Sequence, residues 1–233
     1  MRILAAVLLA LAASGCRSAV HPPGKPDAPD IRRTHPAPGT SIIRFGEIDD
    51  GIYRGSKPKN EADYAFLQSK GVKYILNLRL FPFLSASEGR KAKAHGMTLI
   101  TATINASPVQ PSKHHIDLIL CLLRDKRLHP MYFHCDLGRD RTSLIAALYA
   151  VYFRGVSTDE AWQEAEHFGF KDDWTLRGLK QYFQEHTQPP IARFIPDCSL
   201  EQQKQVTPRD QAAEEPQPCD RRYERQGTAS AVP

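Results

Sequence analysis

The sequence predicts an α/β fold, with a central, mostly parallel sheet flanked by helices. Three observations carry this. Short β-rich apolar runs, VKYILNL (72–78), MTLITATI (97–104) and MYFHC (131–135), alternate with stretches of helical spacing. Gly71, Gly96, Gly155 and Gly169 stand where those helices should stop. The run at 131–135 leads through a short loop into SLIAALYAVYF, a strand–loop–helix unit. Such alternation builds parallel sheets, and their ligands bind at the carboxyl ends of the strands.

Taken in order, IIRF and GIYRG read as a strand pair turning at Asp50-Gly51. Asn60 caps a helix that ends at Gly71. The 72–78 run is a central strand, 87–95 a helix and 97–104 a further strand. Ser112 caps a helix whose IDLILCLLRD segment has a wide apolar face. The 131–135 strand feeds the loop, and helices follow at 141–154, 158–167 and 173–186. No internal repeat is present.

The loop HCDLGRDRT (134–142) holds the chemistry. A helix N-terminus presents unpaired N–H groups and a partial positive charge, and a tight loop of amides adds an anion-binding nest. A thiol there, next to an arginine, ionises readily, so Cys135 is the candidate nucleophile. Arg141 offers a planar fork for two phosphate oxygens and for transition-state charge. Thr142 is placed to hydrogen-bond the sulfur, Gly138 to let backbone approach a ligand, and His134 to orient the loop through backbone hydrogen bonds. A buried structural cysteine is the plainer alternative, but Cys, Gly, Arg and Thr together between strand and helix argue for catalysis.

HCDLGRDRT resembles the signature loop of the cysteine-dependent tyrosine and dual-specificity phosphatases. FGEIDDGIYRGSKPKNEADYAFLQSKGVKYILNLR (45–79) is similar to the opening of their compact, atypical dual-specificity branch. The likeness covers about residues 40–186. It implies that fold, a phosphocysteine on Cys135, and phosphate held by Arg141 and the loop (His134, Asp136, Leu137, Gly138, Arg139, Thr142). It also implies no metal and no other cofactor.

The family's usual proton donor is an Asp upstream of the cysteine. The equivalent stretch, TATINASPVQPSKHH (101–115), has no acidic residue. Asp140, just before the loop arginine, is the favoured acid, although it could instead only pair with an arginine. His114 and His115 are the other candidates.

For the substrate, phosphotyrosine is the family default. Tyr53, Phe81 and Phe83 are the aromatics available to flank a ring. An inositol polyphosphate or phosphoinositide is the alternative, because GRDR resembles the GKDR-type loop and Arg139 would attract a second phosphate. Arg54, Lys57, Lys59 and Arg79 are further rim candidates. Two other classes stay open: an inactive module that binds phosphorylated ligands, and a rhodanese-like sulfur or arsenate enzyme, against which the 45–79 pattern argues.

Composition bounds the rest. The 233 residues carry 31 Lys and Arg against 26 Asp and Glu, a net charge of +5. That modest excess suits anionic ligands, and no nucleic-acid motif is present. MRILAAVLLALAASGC has a short apolar stretch after Arg2 and ends in a lipobox-like ASGC. It reads as a lipoprotein signal peptide (1–16) with Cys16 lipidated, too short to span a bilayer comfortably, and plain secretion with cleavage near the same place is the alternative. Pro-rich 17–40 reads as a flexible tether, 41–187 as the catalytic domain and 188–233 as a disordered tail. The resemblance to bacterial lipoproteins, with no aspartate after Cys16, implies the outer membrane, facing the periplasm. In that oxidising setting Cys198 and Cys219 could close a tail disulfide, with Cys121 a core residue.

Overall fold

The computed structural model describes residues 36–79 and 85–198. Cys16, Cys219, Phe81, Phe83 and most of the tether lie outside the described residues.

Five strands, β1 (Gly46–Asp49), β2 (Ile52–Gly55), β3 (Tyr74–Asn77), β4 (Thr98–Thr101) and β5 (Met131–His134), form one sheet in the order β1-β2-β5-β3-β4. Only β1 runs antiparallel, as an edge strand paired to β2. The other pairs are parallel, with Tyr53 opposite Tyr132 and Leu76 opposite Phe133. This is the predicted architecture. β5 is central and wholly buried, with the apolar Met131, Tyr132 and Phe133 leading to a buried His134.

The sheet divides two cores by the alternation of its side chains. Ile75 and Tyr132 face α1 (Glu61–Ser69) and α2 (Ala86–Ala94), among Tyr64, Leu67, Ala92 and Met97. Leu76 and Phe133 face the larger cluster built from α3 (Lys113–Arg124), α4 (Asp140–Arg154), α5 (Thr158–His167) and α6 (Arg177–His186). α4 is buried continuously from Thr142 to Tyr152, which its all-round apolar sequence foretells. Asn60 caps α1 in a reciprocal capping box with Asp63.

Four expectations need correction. IIRF is not a strand: Arg44 adopts a left-handed backbone (φ 56), which breaks the extended run, and β1 starts at Gly46. The strand expected over 97–104 covers only Thr98–Thr101. The last helix starts at Arg177, because the Asp173 carboxylate accepts from the N–H and hydroxyl of Thr175 and holds a turn there.

The fourth concerns the tail. Residues 188–198 continue the fold, with a 3-10 turn at Ile191–Arg193 and Ile191 and Phe194 packed on the larger core. Tyr152 Oη donates to His186 O (2.8 Å), which directs the chain leaving α6 back across the helices. Cys198 therefore meets Cys121 of α3 and forms a disulfide across 77 residues, in place of the Cys198–Cys219 pair. Cys121 is buried, as expected, but bonded. No helix among the described residues is long and apolar enough to cross a membrane.

Candidate active site

The loop between β5 and α4 lies at the carboxyl end of the central strand, and its carbonyls explain its shape. Cys135 O accepts from His134 Nδ1 (2.8 Å), and Asp136 O from the Lys57 N–H (3.0 Å). Leu137 O accepts from Arg44 Nη1 (3.2 Å), Gly138 O from Arg54 Nη2 (2.9 Å), and Arg139 O from the Ser143 N–H (3.1 Å). Five consecutive carbonyls are thus satisfied by groups outside the loop's interior. The N–H groups of Asp136 to Arg141 donate to no described residue. Carbonyls held outward and amides left unpaired are the arrangement that binds an anion.

Glycine is required at the point of closest approach. Gly138 has φ 66, and a Cβ there would lie 2.5 Å from the carbonyl carbon of Gly55. The loop therefore rests directly on the end of β2.

Arg54 belongs beneath the loop rather than on its rim. It is fully buried, donates also to Ser143 Oγ (2.8 Å), and lies 3.8 Å from the Phe168 ring centroid. Its Nε and Nη1 have no hydrogen-bond partner, and burial lowers its pKa to about 10. Burial likewise pushes the Tyr132 phenol well up, with Cys135 nearby adding to the effect. That phenol donates to Ser56 O (2.5 Å), bracing the same turn from the other face of the sheet.

Cys135 is buried and is the only free thiol among the described residues. Its N–H donates to Thr142 Oγ1 (2.9 Å), a contact that does not use the Thr142 hydroxyl proton. Arg141 is partly exposed and makes no hydrogen bond or ion pair with a described residue. Its fork is thus uncommitted at the base of the helix.

The remaining candidates divide clearly. Asp140 opens α4, and both its oxygens lie 3.0 Å from Arg139 Nε, with the Lys171 N–H at 3.2 Å. Delivering a proton from Asp140 would require turning it away from Arg139. Arg139 is accordingly not a lone rim cation. Asp136, 56 % exposed, pairs with Arg79 Nε at 2.8 Å, so Arg79 does stand at the mouth. Lys57 is half-buried with its backbone on the loop, and Lys59 is exposed. His114 and His115 are exposed in the first turn of α3 and make no hydrogen bond to the loop. Tyr53 stacks on Phe45 at 5.7 Å and is thereby committed to packing.

The sequence reading passed over Arg44, Glu88 and Trp174. Arg44 bridges Leu137 O and Phe168 O. Glu88 lies 2.6 Å from His134 Nε2. Trp174, 74 % exposed, sits between Lys171, whose N–H reaches Asp140, and Gly178, which packs on the Val109 and Ser107 carbonyls.

Comparison with known proteins bears on the family and the fold. The chain is 25% identical over 144 residues to the dual specificity protein phosphatase TpbA of Pseudomonas aeruginosa, a match spanning 60% of this chain and 61% of that one. It is 30% identical over 105 residues to the inositol diphosphatase DSP3 of Arabidopsis thaliana, covering 43% and 50%. The chain thus spans about three-fifths or less of the length of these relatives. Among solved structures, the catalytic core of the PP-IP phosphatase SIW14 from S. cerevisiae shares the fold at a TM-score of 0.53 and 24% identity, covering 64% of this chain and 88% of that one. P. aeruginosa TpbA does so at 0.53 and 22%, covering 68% and 95%. The family pattern matches residues 41–189, most of the described structure, and with the carbonyl-pinned cysteine loop at its centre the chain belongs to the tyrosine phosphatase family.

Proposed function

We propose that the protein hydrolyses phosphotyrosine, with dual-specificity character, through a phosphocysteine on Cys135. The observation that carries the chemistry is the pinning of five carbonyls, which leaves the loop amides and Arg141 to hold a phosphoryl group above the sulfur. The Cys135 thiolate attacks phosphorus, the P–O bond to the substrate breaks, and the leaving oxygen takes a proton from Asp140 or from water. Water then attacks the phosphocysteine, sulfur departs as thiolate, and the Thr142 hydroxyl stabilises it.

The substrate choice rests on the leaving group. The 101–115 stretch supplies no carboxylic acid, so a leaving group that departs as a stable anion is favoured. A tyrosyl phenolate is a better group of this kind than a seryl oxygen, which places phosphotyrosine first within a dual-specificity range. Exposed Leu137, Val109 and Trp174 suit an aromatic ring and its peptide.

The second reading is an inositol phosphate, especially a diphosphate, whose leaving phosphate also needs little protonation. Arg79 and Arg139 beside the loop favour it, provided that substrate displaces their carboxylate partners. The names of DSP3 and SIW14 point the same way for those proteins. By its signal-like N-terminus we also read the protein as exported and lipid-anchored through Cys16 on the periplasmic side of the outer membrane. The Cys121–Cys198 disulfide supports an oxidising compartment.

The test is a panel of phosphotyrosyl peptides, phosphoinositides and inositol polyphosphates against the soluble domain, with Cys135→Ser as control. That variant should lose turnover and keep binding of a non-covalent phosphate analogue such as sulfate. Turnover surviving in it sinks the mechanism, and preference for multiply phosphorylated rings, lost on Arg139→Ala, selects the inositol reading.

A further inference from the structure

We propose that Glu88 is a positioning residue of the active site: through His134 it fixes the first carbonyl of the anion loop, and through Arg79 it ties that bond to Asp136 at the mouth. The inference rests on the phosphatase reading of the loop.

Four of the five loop carbonyls are held by groups that can only donate: two backbone N–H groups and the guanidinium groups of Arg44 and Arg54. The fifth is held by an imidazole, whose Nδ1 donates only when it carries the proton. Cys135 O accepts and cannot donate, so Nδ1 bears hydrogen here. Glu88 Oε1 faces the other nitrogen at 2.6 Å, and both side chains are buried. Two protonation patterns satisfy this contact. Either an imidazolium donates to a carboxylate, or a carboxyl O–H donates to a bare Nε2. In both, Nδ1–H stays aimed at Cys135 O. Without Glu88 the Nε2 side of a fully buried ring has no partner, and the ring can turn or exchange tautomers.

The environment leaves this duty to Glu88. Tyr132 stacks on the His134 ring at 5.8 Å, and the strand neighbours in register are Gly55 and Asn77. Neither register neighbour is charged. Arg79 is the nearby cation: its Nη1 lies 3.6 Å from Glu88 Oε2 and its Nε 2.8 Å from Asp136 Oδ1. The path Asp136–Arg79–Glu88–His134–Cys135 O closes a ring around the first turn of the loop. Glu88 Oε2 has no hydrogen bond, an arrangement costly to bury if it served stability alone.

The experiment compares Glu88→Ala and Glu88→Gln with the wild type, by kcat/KM on p-nitrophenyl phosphate, vanadate affinity and imidazole ¹⁵N NMR of His134. Wild type should show a protonated Nδ1. Glu88→Ala should lose on the order of a hundredfold in kcat/KM, with a matching loss of vanadate affinity. Glu88→Gln should keep most of both, because its amide N–H can donate to Nε2 and preserve the Nδ1 bond. A folded Glu88→Ala with unchanged vanadate affinity, a Glu88→Gln as damaged as the alanine variant, or an unprotonated Nδ1 in wild type overturns the proposal. If Glu88→Ala does not fold, the glutamine variant and the wild-type spectrum decide. A wild type that turns over nothing sinks the phosphatase reading instead, while vanadate affinity and the spectrum still judge Glu88.

Discussion

Replacing Arg54 by methionine should separate catalysis from stability. The side chain is fully buried and holds Gly138 O and Ser143 Oγ at 2.9 and 2.8 Å. Removing two hydrogen bonds from a charged donor costs about 3–6 kcal/mol, and losing the contact over Phe168 about 1–2 more. Against this stands the cost of burying the charge. A guanidinium lowered from 12.5 to about 10 by desolvation is disfavoured by about 3 kcal/mol at neutral pH. That penalty applies in full below pH 10, where the group is charged in both states, and methionine removes it. Methionine also fills most of the space. The net loss is about 1–5 kcal/mol, centred near 3, or roughly 6–12 °C in Tm. Activity should fall much further, on the order of a hundredfold, because Gly138 O is released and the neighbouring amides lose their aim. Thermal unfolding and aryl phosphate turnover on one preparation decide it. Unimpaired turnover in a folded Arg54→Met protein would refute the claim that held carbonyls make the anion site.

Gly138→Ala sets a Cβ 2.5 Å from Gly55 backbone at φ 66, so overpacking and left-handed strain should cost about 2–4 kcal/mol and abolish phosphate-analogue binding, read by calorimetry with vanadate. Cys121→Ser opens a closed loop of 77 residues and should destabilise the oxidised protein by about 4 kcal/mol in urea unfolding, with little change in kcat at 25 °C. Asp63→Asn tests an acid-sensitive strut. Burial works to raise the Asp63 carboxyl, but hydrogen bonds from Ser41, Lys59 and Asn60 outweigh it and hold its pKa below the usual value. Its contribution is therefore present at neutral pH and lost as pH falls through the carboxylate range. The variant should be less stable by about 2 kcal/mol at pH 7, and the gap should shrink toward pH 3.

What the sequence made legible and what it hid follow from the same physics. The loop between β5 and α4 was readable because its parts are local: apolar strand, Cys135, Gly138, Arg141, Thr142, then a helix buried on every side. An amide nest, however, needs its carbonyls turned outward, and buried carbonyls turned outward need donors. Those donors come from far along the chain. Arg44 and Arg54 precede Leu137 and Gly138 by 93 and 84 positions, and Lys57 arrives through its backbone. Spacing within a motif carries no trace of them. Arg54 did leave one signal. In a strand with a period of two it shares the inward face with Ile52, and an arginine on an apolar strand face implies a buried acceptor. Glu88 left less, standing in the polar helix SASEGRKAKA, where only the fold shows which carboxylate turns inward. Cys198 pairs with Cys121 because α6 brings the chain back to α3, a fact of topology alone. The missing acid on the 101–115 stretch was plain in the sequence and gains force from the structure. The two loop carboxylates, Asp136 and Asp140, are each already held by an arginine, so neither can hand over a proton without giving up that partner.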